Sequence, residues 1–62
     1  MEVNMYLPQD AIILLSAVNT KLRDFYPSLK AMCEDMNVSE SEIKSKLEGI
    51  GYEYSEELNR FV

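Results

Sequence analysis

Apolar residues recur along the first half of the chain at the spacing of an α-helix. Asp10 stands directly before this run and is suited to cap a first turn. Pro27 ends the run, because the residue before a proline is pushed out of helical geometry. We therefore predict a first helix over residues 11–24. Ile12 and Ile13 widen its apolar stripe, which indicates a central helix contacted on more than one side. The residues that follow helical spacing are Ala11, Leu14, Leu15, Val18 and Leu22, with Phe25 continuing the pattern.

A second, shorter helix is predicted after Pro27. Ser28 can cap it, and Asn37 tolerates the left-handed backbone conformation in which many helices end. Between them, one apolar face follows the i, i+3, i+4, i+7 pattern at Leu29, Met32, Cys33 and Met36. Since Cys33 lies on this face and the chain has no histidine to activate a thiol, we expect it to be buried and inert.

A third helix begins at a capping box formed by Ser39 and Glu42. We expect it to end at Gly49 or Gly51. The residues expected to face inward are Ile43, Leu47 and Ile50.

The tail has strand-like features. Tyr52 and Tyr54 alternate with Glu53, and residues 60–62 have the composition of a strand. This pattern favours a β-hairpin with residues 55–59 as its connection, and a helical turn starting at Ser55 is the alternative. Residues 1–62 are thus predicted to form one mainly α domain of three helices and a short C-terminal hairpin. Ahead of the first helix, the predicted anchors onto the core are Met5, Tyr6 and Leu7.

Composition narrows the classes of function. At 62 residues the domain should be stable by only about 3–5 kcal/mol, and self-association would be one way to support it. One cysteine and no histidine allow neither an internal disulfide nor a zinc site. No phosphate loop, serine triad or metal-spaced cluster is present, so we expect neither an enzyme nor a cofactor or metal.

Cellular location follows from the same features. The longest apolar run, residues 11–15, is too short to cross a bilayer, and the start of the chain lacks the basic residues of an export signal. A reduced thiol fits the cytoplasm. Because the chain starts at Met1, we expect a complete small protein.

The segment 28–47 resembles the helix-turn-helix of bacterial regulators. Cys33 stands where the helices of those motifs cross, Asn37 and Val38 form the turn, and a following hairpin would resemble the wing of a winged helix. The resemblance implies nucleic-acid contacts from the third helix, at Ser41, Lys44, Ser45 and Lys46. Three acidic residues share that helix and the net charge is −5. Electrostatic repulsion from the phosphates therefore opposes duplex binding, and nucleic acid is a disfavoured partner.

A second resemblance covers nearly the whole chain. The residues that carry it are 7–10, 14–16, 19–24, Ser28, Leu29, Cys33, Lys46, Leu47, 50–52, Tyr54, Asn59 and Phe61. In these residues the chain resembles the short bacterial proteins grouped as domain of unknown function family 4250. The resemblance implies a stand-alone small protein and supplies no activity or partner.

Two sets of residues are candidates for a contact surface. The densest polar cluster is residues 19–24, which could contact a partner, brace the hairpin through Asn19 or Arg23, or be a solvated helix face. Of the six aromatic residues, Phe25 and Phe61 are expected in the core. The candidate interaction surface is Asn19, Thr20, Arg23, Tyr26, Tyr52 and Tyr54.

We therefore predict a small, non-enzymatic, cytoplasmic protein-interaction module that binds a partner protein or forms a homodimer. A winged-helix-like nucleic-acid-binding regulator is the alternative, and binding to a membrane is not expected.

Overall fold

A computed structural model describes residues 10–62, so the predicted anchors Met5, Tyr6 and Leu7 lie outside the described residues. Within residues 10–62, three helices precede a two-stranded antiparallel hairpin, which confirms the mainly α architecture. The elements are α1 (Ala11–Asp24), α2 (Leu29–Met36), α3 (Glu40–Glu48), β1 (Tyr54–Ser55) and β2 (Arg60–Phe61).

Local hydrogen bonds fix where each helix begins. The Asp10 carboxylate accepts from two main-chain amides of the first turn of α1, at 2.9 and 3.2 Å. Ser28 and Ser39 cap α2 and α3 in the same way, each through its hydroxyl. Asn37 ends α2 in the left-handed conformation, with φ of 58°. All four assignments were predicted from residue type, because capping is a local property of the chain.

The core lies where the three helices meet beneath the hairpin. It contains one apolar residue from β2, Phe61, whose ring lies 5.5 Å from that of Tyr54. The hairpin therefore closes one side of the helical cluster, and the predicted burial of Phe61 is confirmed. The buried residues are Leu14, Val18, Leu22, Leu29, Met32, Cys33, Ile43, Leu47 and Phe61.

The hydrogen bonding of the hairpin extends beyond its two-residue strands. Tyr54 pairs with Phe61 and Ser55 with Arg60, and the main chains of Glu53 and Val62 exchange two further hydrogen bonds of 3.0 and 2.9 Å. Residues 56–59 form the turn, one residue shorter than the predicted connection. The hairpin is thus correct and the helical alternative for the tail is wrong.

Two expected core residues are on the surface. Phe25 is 72% exposed, because it is the C-cap of α1 and its φ of −128° takes its side chain off the helical pattern. Ile50 is 36% exposed, because α3 ends at Glu48 and Ile50 lies in the turn that follows. The apolar spacing continues past the last residue of α1 and of α3 in the sequence. Beyond that residue, however, the backbone is no longer helical, so the spacing no longer places a side chain on the buried face.

Candidate functional site

Asn19 braces the hairpin against α1. Its side-chain amide donates to the main-chain oxygen of Phe61 at 3.2 Å, and its side-chain oxygen accepts from the main-chain amide of Phe61 at 2.8 Å. This two-way bonding takes the place of a third strand beside β2. Of the readings open for the polar cluster, bracing is the one that the structure shows for Asn19.

The side chain of Asn59 forms a second set of hydrogen bonds, which joins the hairpin turn to the end of α1. We call this set the Asn59 bracket. The side-chain amide of Asn59 donates to the main-chain oxygens of Leu22 and Tyr26, at 3.2 and 3.0 Å. Its side-chain oxygen accepts from the Tyr54 hydroxyl at 2.7 Å, and that hydroxyl accepts from the main-chain amide of Leu29 at 3.1 Å. Asn59 has a φ of 54°, a conformation that Asn tolerates better than most residues. A structural role for Asn59 was not predicted. The signal available in the sequence was an asparagine in the expected hairpin connection.

The remaining polar candidates on α1 face solvent. Thr20 is exposed, and Arg23 forms an ion pair with Asp24 through hydrogen bonds of 2.9 and 3.0 Å. The same hydrogen bond raises the pKa of Arg23 and lowers the pKa of Asp24. Of the two residues predicted as alternatives for bracing the hairpin, Asn19 therefore makes the brace, and Arg23 is bonded to Asp24 instead. An ion pair this exposed contributes little to stability.

The three candidate tyrosines lie in different surroundings. Tyr26 is half-buried and its hydroxyl donates to Asp35 at 2.6 Å, a hydrogen bond that raises the pKa of Tyr26. Tyr54 is half-buried and its hydroxyl belongs to the Asn59 bracket. Tyr52 is 37% exposed. The six predicted contact residues therefore divide between structural bracing and open surface.

The face of α3 proposed for nucleic acid is locally balanced in charge. The Lys44 ammonium lies 3.3 Å from a carboxylate oxygen of Glu40, one helical turn earlier. The Ser41 hydroxyl is 3.2 Å from that of Ser39, while Ser45 and Lys46 are exposed. Nothing in this arrangement raises the positive charge available to a phosphate, so duplex binding stays a disfavoured prediction.

Cys33 has the features of a structural thiol. Its side chain is buried, and this burial, with a smaller effect of Glu40, raises its pKa. A protonated thiol is a poor nucleophile. Among residues 10–62, no three His, Cys, Asp or Glu side chains are grouped to hold a metal ion. None of the helices in that part of the chain combines the length and apolarity needed to cross a membrane.

Two open grooves lie side by side along α1. The larger, of about 720 Å³, runs between α1 and the hairpin and has Ile12 and Leu58 in its lining. The smaller, of about 380 Å³, has Ile13 and Phe25 in its lining. Ser16 and Thr20 contribute to both linings, so the two grooves adjoin. We call this surface, defined by the residues Ile12, Ile13, Ser16, Thr20, Phe25 and Leu58, the α1 outer face.

The α1 outer face exposes large apolar side chains to solvent. Ile12 is 68% exposed, Ile13 and Leu58 are each 57% exposed, and Phe25 is more exposed than any of them. This surface was not predicted, because Phe25 was expected in the core and Ile12 and Ile13 were expected to widen the apolar stripe of a central helix. The available signal was their position, since both isoleucines lie off the line from Leu14 to Leu22.

Comparison with known proteins places these features in a family. Residues 8–61 match the model described as Domain of unknown function (DUF4250). The chain belongs to the DUF4250 family. No curated protein and no solved structure matches the chain significantly. All residues of the α1 outer face, together with Asn19, Asn59 and their hydrogen-bond partners, fall within the DUF4250 match.

The charge around the α1 outer face of this DUF4250 chain differs from that of the whole molecule. The chain has eleven acidic and six basic residues, yet three of the six basic residues, Lys21, Arg23 and Arg60, line the two grooves. None of the described lining residues is acidic. The surface is therefore an apolar patch with a basic margin on an acidic protein.

Proposed function

We propose that this DUF4250 protein is a non-enzymatic, cytoplasmic protein-interaction module and that its binding surface is the α1 outer face. The observation that carries the proposal is the grouping of four exposed apolar side chains along two adjoining grooves. Apolar surface left in water forgoes about 25 cal/mol per Å² that burial would provide. Contiguous patches of this kind mark interaction sites on small soluble proteins.

The chemistry of the grooves supports the non-enzymatic part of the proposal. The described lining residues include the hydroxyls of Ser16 and Thr20 but no His, Asp or Glu to act as a general base beside them, and no Cys. The thiol of Cys33 is buried in the core with a raised pKa. A buried, unpaired thiol also fits a reducing compartment such as the cytoplasm.

Charge favours a different protein over a second copy as the partner. A symmetric dimer presents the same patch on both subunits. Two α1 outer faces in contact would therefore bring together two surfaces that both carry basic residues, among them Lys21 and Arg60, and no acidic residue in the described lining. Like charges brought together at an interface oppose association. We therefore favour a partner chain with complementary charge.

Photo-crosslinking in cells of the source organism tests this proposal. Phe25 or Leu58 is replaced by the photoreactive amino acid p-benzoylphenylalanine, and Tyr52 is the matched control, since it is exposed but lines neither groove. Irradiation is expected to give the same discrete adduct from positions 25 and 58 and none from position 52. Peptide mass spectrometry of the adduct then identifies the partner chain.

Two results would count against the proposal. Equal adduct patterns from all three positions would show non-specific proximity, and absence of adducts from positions 25 and 58 would show that the α1 outer face is not occupied. An adduct of about twice the 7.2 kDa chain mass would replace the partner protein with self-association.

A further inference from the structure

We infer that the segment bound at the α1 outer face is an acidic amphipathic helix, with apolar residues on one side and carboxylates beside them. This inference rests on the proposed function and adds the chemical class of the partner. It follows from how the grooves are shaped, which main-chain groups are already bonded, and where the basic residues lie.

The shape of the surface suits side chains inserted from above. Ile12 and Leu58 contribute to one groove, and Ile13 and Phe25 to the other, so the apolar contacts form two rows. The shared residues between them, Ser16 and Thr20, are small, which lets a partner backbone approach closely. A helix with apolar residues at i, i+3, i+4 and i+7 presents one narrow apolar stripe to such a surface.

Strand addition, the other common way of binding a peptide beside a hairpin, is blocked at β2. Both main-chain groups of Phe61 that point away from β1 are bonded to Asn19, at 2.8 and 3.2 Å. An extended peptide would have to displace this brace before it could pair with β2. Docking through side chains requires no such loss.

The basic residues that line the grooves indicate which charge the bound segment should carry. Lys21, Arg23 and Arg60 line the grooves with no acidic residue among the described lining, and the rest of the chain sums to −8, since the whole is −5. Arg23 is partly satisfied by Asp24, so Lys21 and Arg60 contribute most. An acidic segment is attracted to this margin and repelled elsewhere, which steers and orients it.

Titration of the ¹⁵N-labelled protein with three synthetic peptides, followed by NMR, tests the inference. The peptides share one amphipathic pattern of leucines and differ only in the flanking residues, which are Glu, Gln or Lys. We expect the Glu peptide to bind roughly tenfold more tightly than the Lys peptide, as two or three exposed ion pairs would produce. The amides of Thr20, Lys21, Leu58 and Arg60 should shift most.

Charge reversal provides the matched control. Lys21→Glu should weaken binding of the Glu peptide several-fold, whereas Lys30→Glu, an equal charge change at an exposed position of α2 that lines neither groove, should have a much smaller effect. Lys21→Glu/Arg60→Glu should reverse the preference and favour the Lys peptide. Replacing the leucines of the Glu peptide with serine should abolish binding.

Several results would overturn the inference. If the Lys peptide binds the α1 outer face as tightly as the Glu peptide, the acidic class is wrong while the proposed interaction surface stands. If the serine-substituted peptide binds equally well, charge alone is responsible and the amphipathic class is wrong. If no peptide shifts these amides at about 1 mM, where even weak complexes are detected, the helix-docking inference fails. Crosslinking at Phe25 and Leu58 then decides the proposed function independently.

Discussion

The two faces of α1 have similar apolar residues in opposite surroundings. Leu14, Val18 and Leu22 on the inner face are buried, whereas Ile12 and Ile13 on the outer face are among the most exposed apolar residues described. Residue type does not distinguish the faces, but position on the helix does. An apolar side chain therefore indicates only that contact with water is unfavourable for that residue. Whether the residue belongs to the core or to a binding surface depends on what packs against it.

The two phenylalanines give the largest test of this difference. Phe61→Ala removes a buried ring and should cost about 3–5 kcal/mol, which is comparable to the whole stability of a domain this small. Phe25→Ala removes the same ring from an exposed position and should change the free energy of unfolding by less than about 0.5 kcal/mol. Urea unfolding followed by circular dichroism measures both. Equal destabilisation by the two changes would place Phe25 in the core.

The two neighbouring polar residues on α1 give a smaller contrast. Asn19→Ala leaves both main-chain groups of Phe61 without their partner and should cost about 1–3 kcal/mol. Thr20→Ala, one residue further on and exposed, should have almost no effect on stability. Amide hydrogen exchange provides a second measurement, because loss of the brace should speed exchange at Phe61. Unchanged exchange there would show that Asn19 is not a brace.

The tyrosine hydroxyls should differ by less. Tyr54→Phe removes the hydroxyl that joins Asn59 to the first amide of α2 and should cost about 1–2 kcal/mol. Tyr52→Phe removes an exposed hydroxyl and should be neutral within about 0.5 kcal/mol. Thermal unfolding of the two variants side by side checks this. An equal effect of both changes would remove Tyr54 from the bracket.

The smallest expected effect concerns nucleic acid. A labelled mixed-sequence DNA duplex should not bind at low salt, where phosphate attraction is strongest, because α3 offers nearly balanced charge. Lys44→Glu/Lys46→Glu should therefore leave the fluorescence anisotropy of the duplex unchanged. Salt-sensitive binding that is lost in a folded double variant would instead make the segment 28–47 functional.

Much of the fold could be predicted from sequence, because it depends on local rules. The bounds of α1 follow from Asp10 and Pro27, and the left-handed end of α2 from Asn37. The hairpin follows from alternation around Tyr54 and from the strand-like composition of the chain end. Each signal lies within a few residues of the element it defines.

The candidate site was far less predictable, because its contacts join distant parts of the chain. Asn19 and Phe61 are 42 positions apart, and Asn59 reaches a main-chain oxygen 37 positions earlier. Phe25 looked like a core residue because the helical pattern extends to it while the helix itself does not. The larger groove of the α1 outer face forms only when the hairpin turn, with Leu58, lies beside the helix.

The Phe25→Ser variant tests the central claim most directly when its free energy of unfolding and its crosslinking from position 58 are measured together. If the α1 outer face is a protein-binding surface, stability should stay within about 0.5 kcal/mol of the unmodified protein and the position-58 adduct should be lost. A fully folded variant that still forms the adduct would contradict the claim. A variant that unfolds would contradict it as well, since it would return Phe25 to the core.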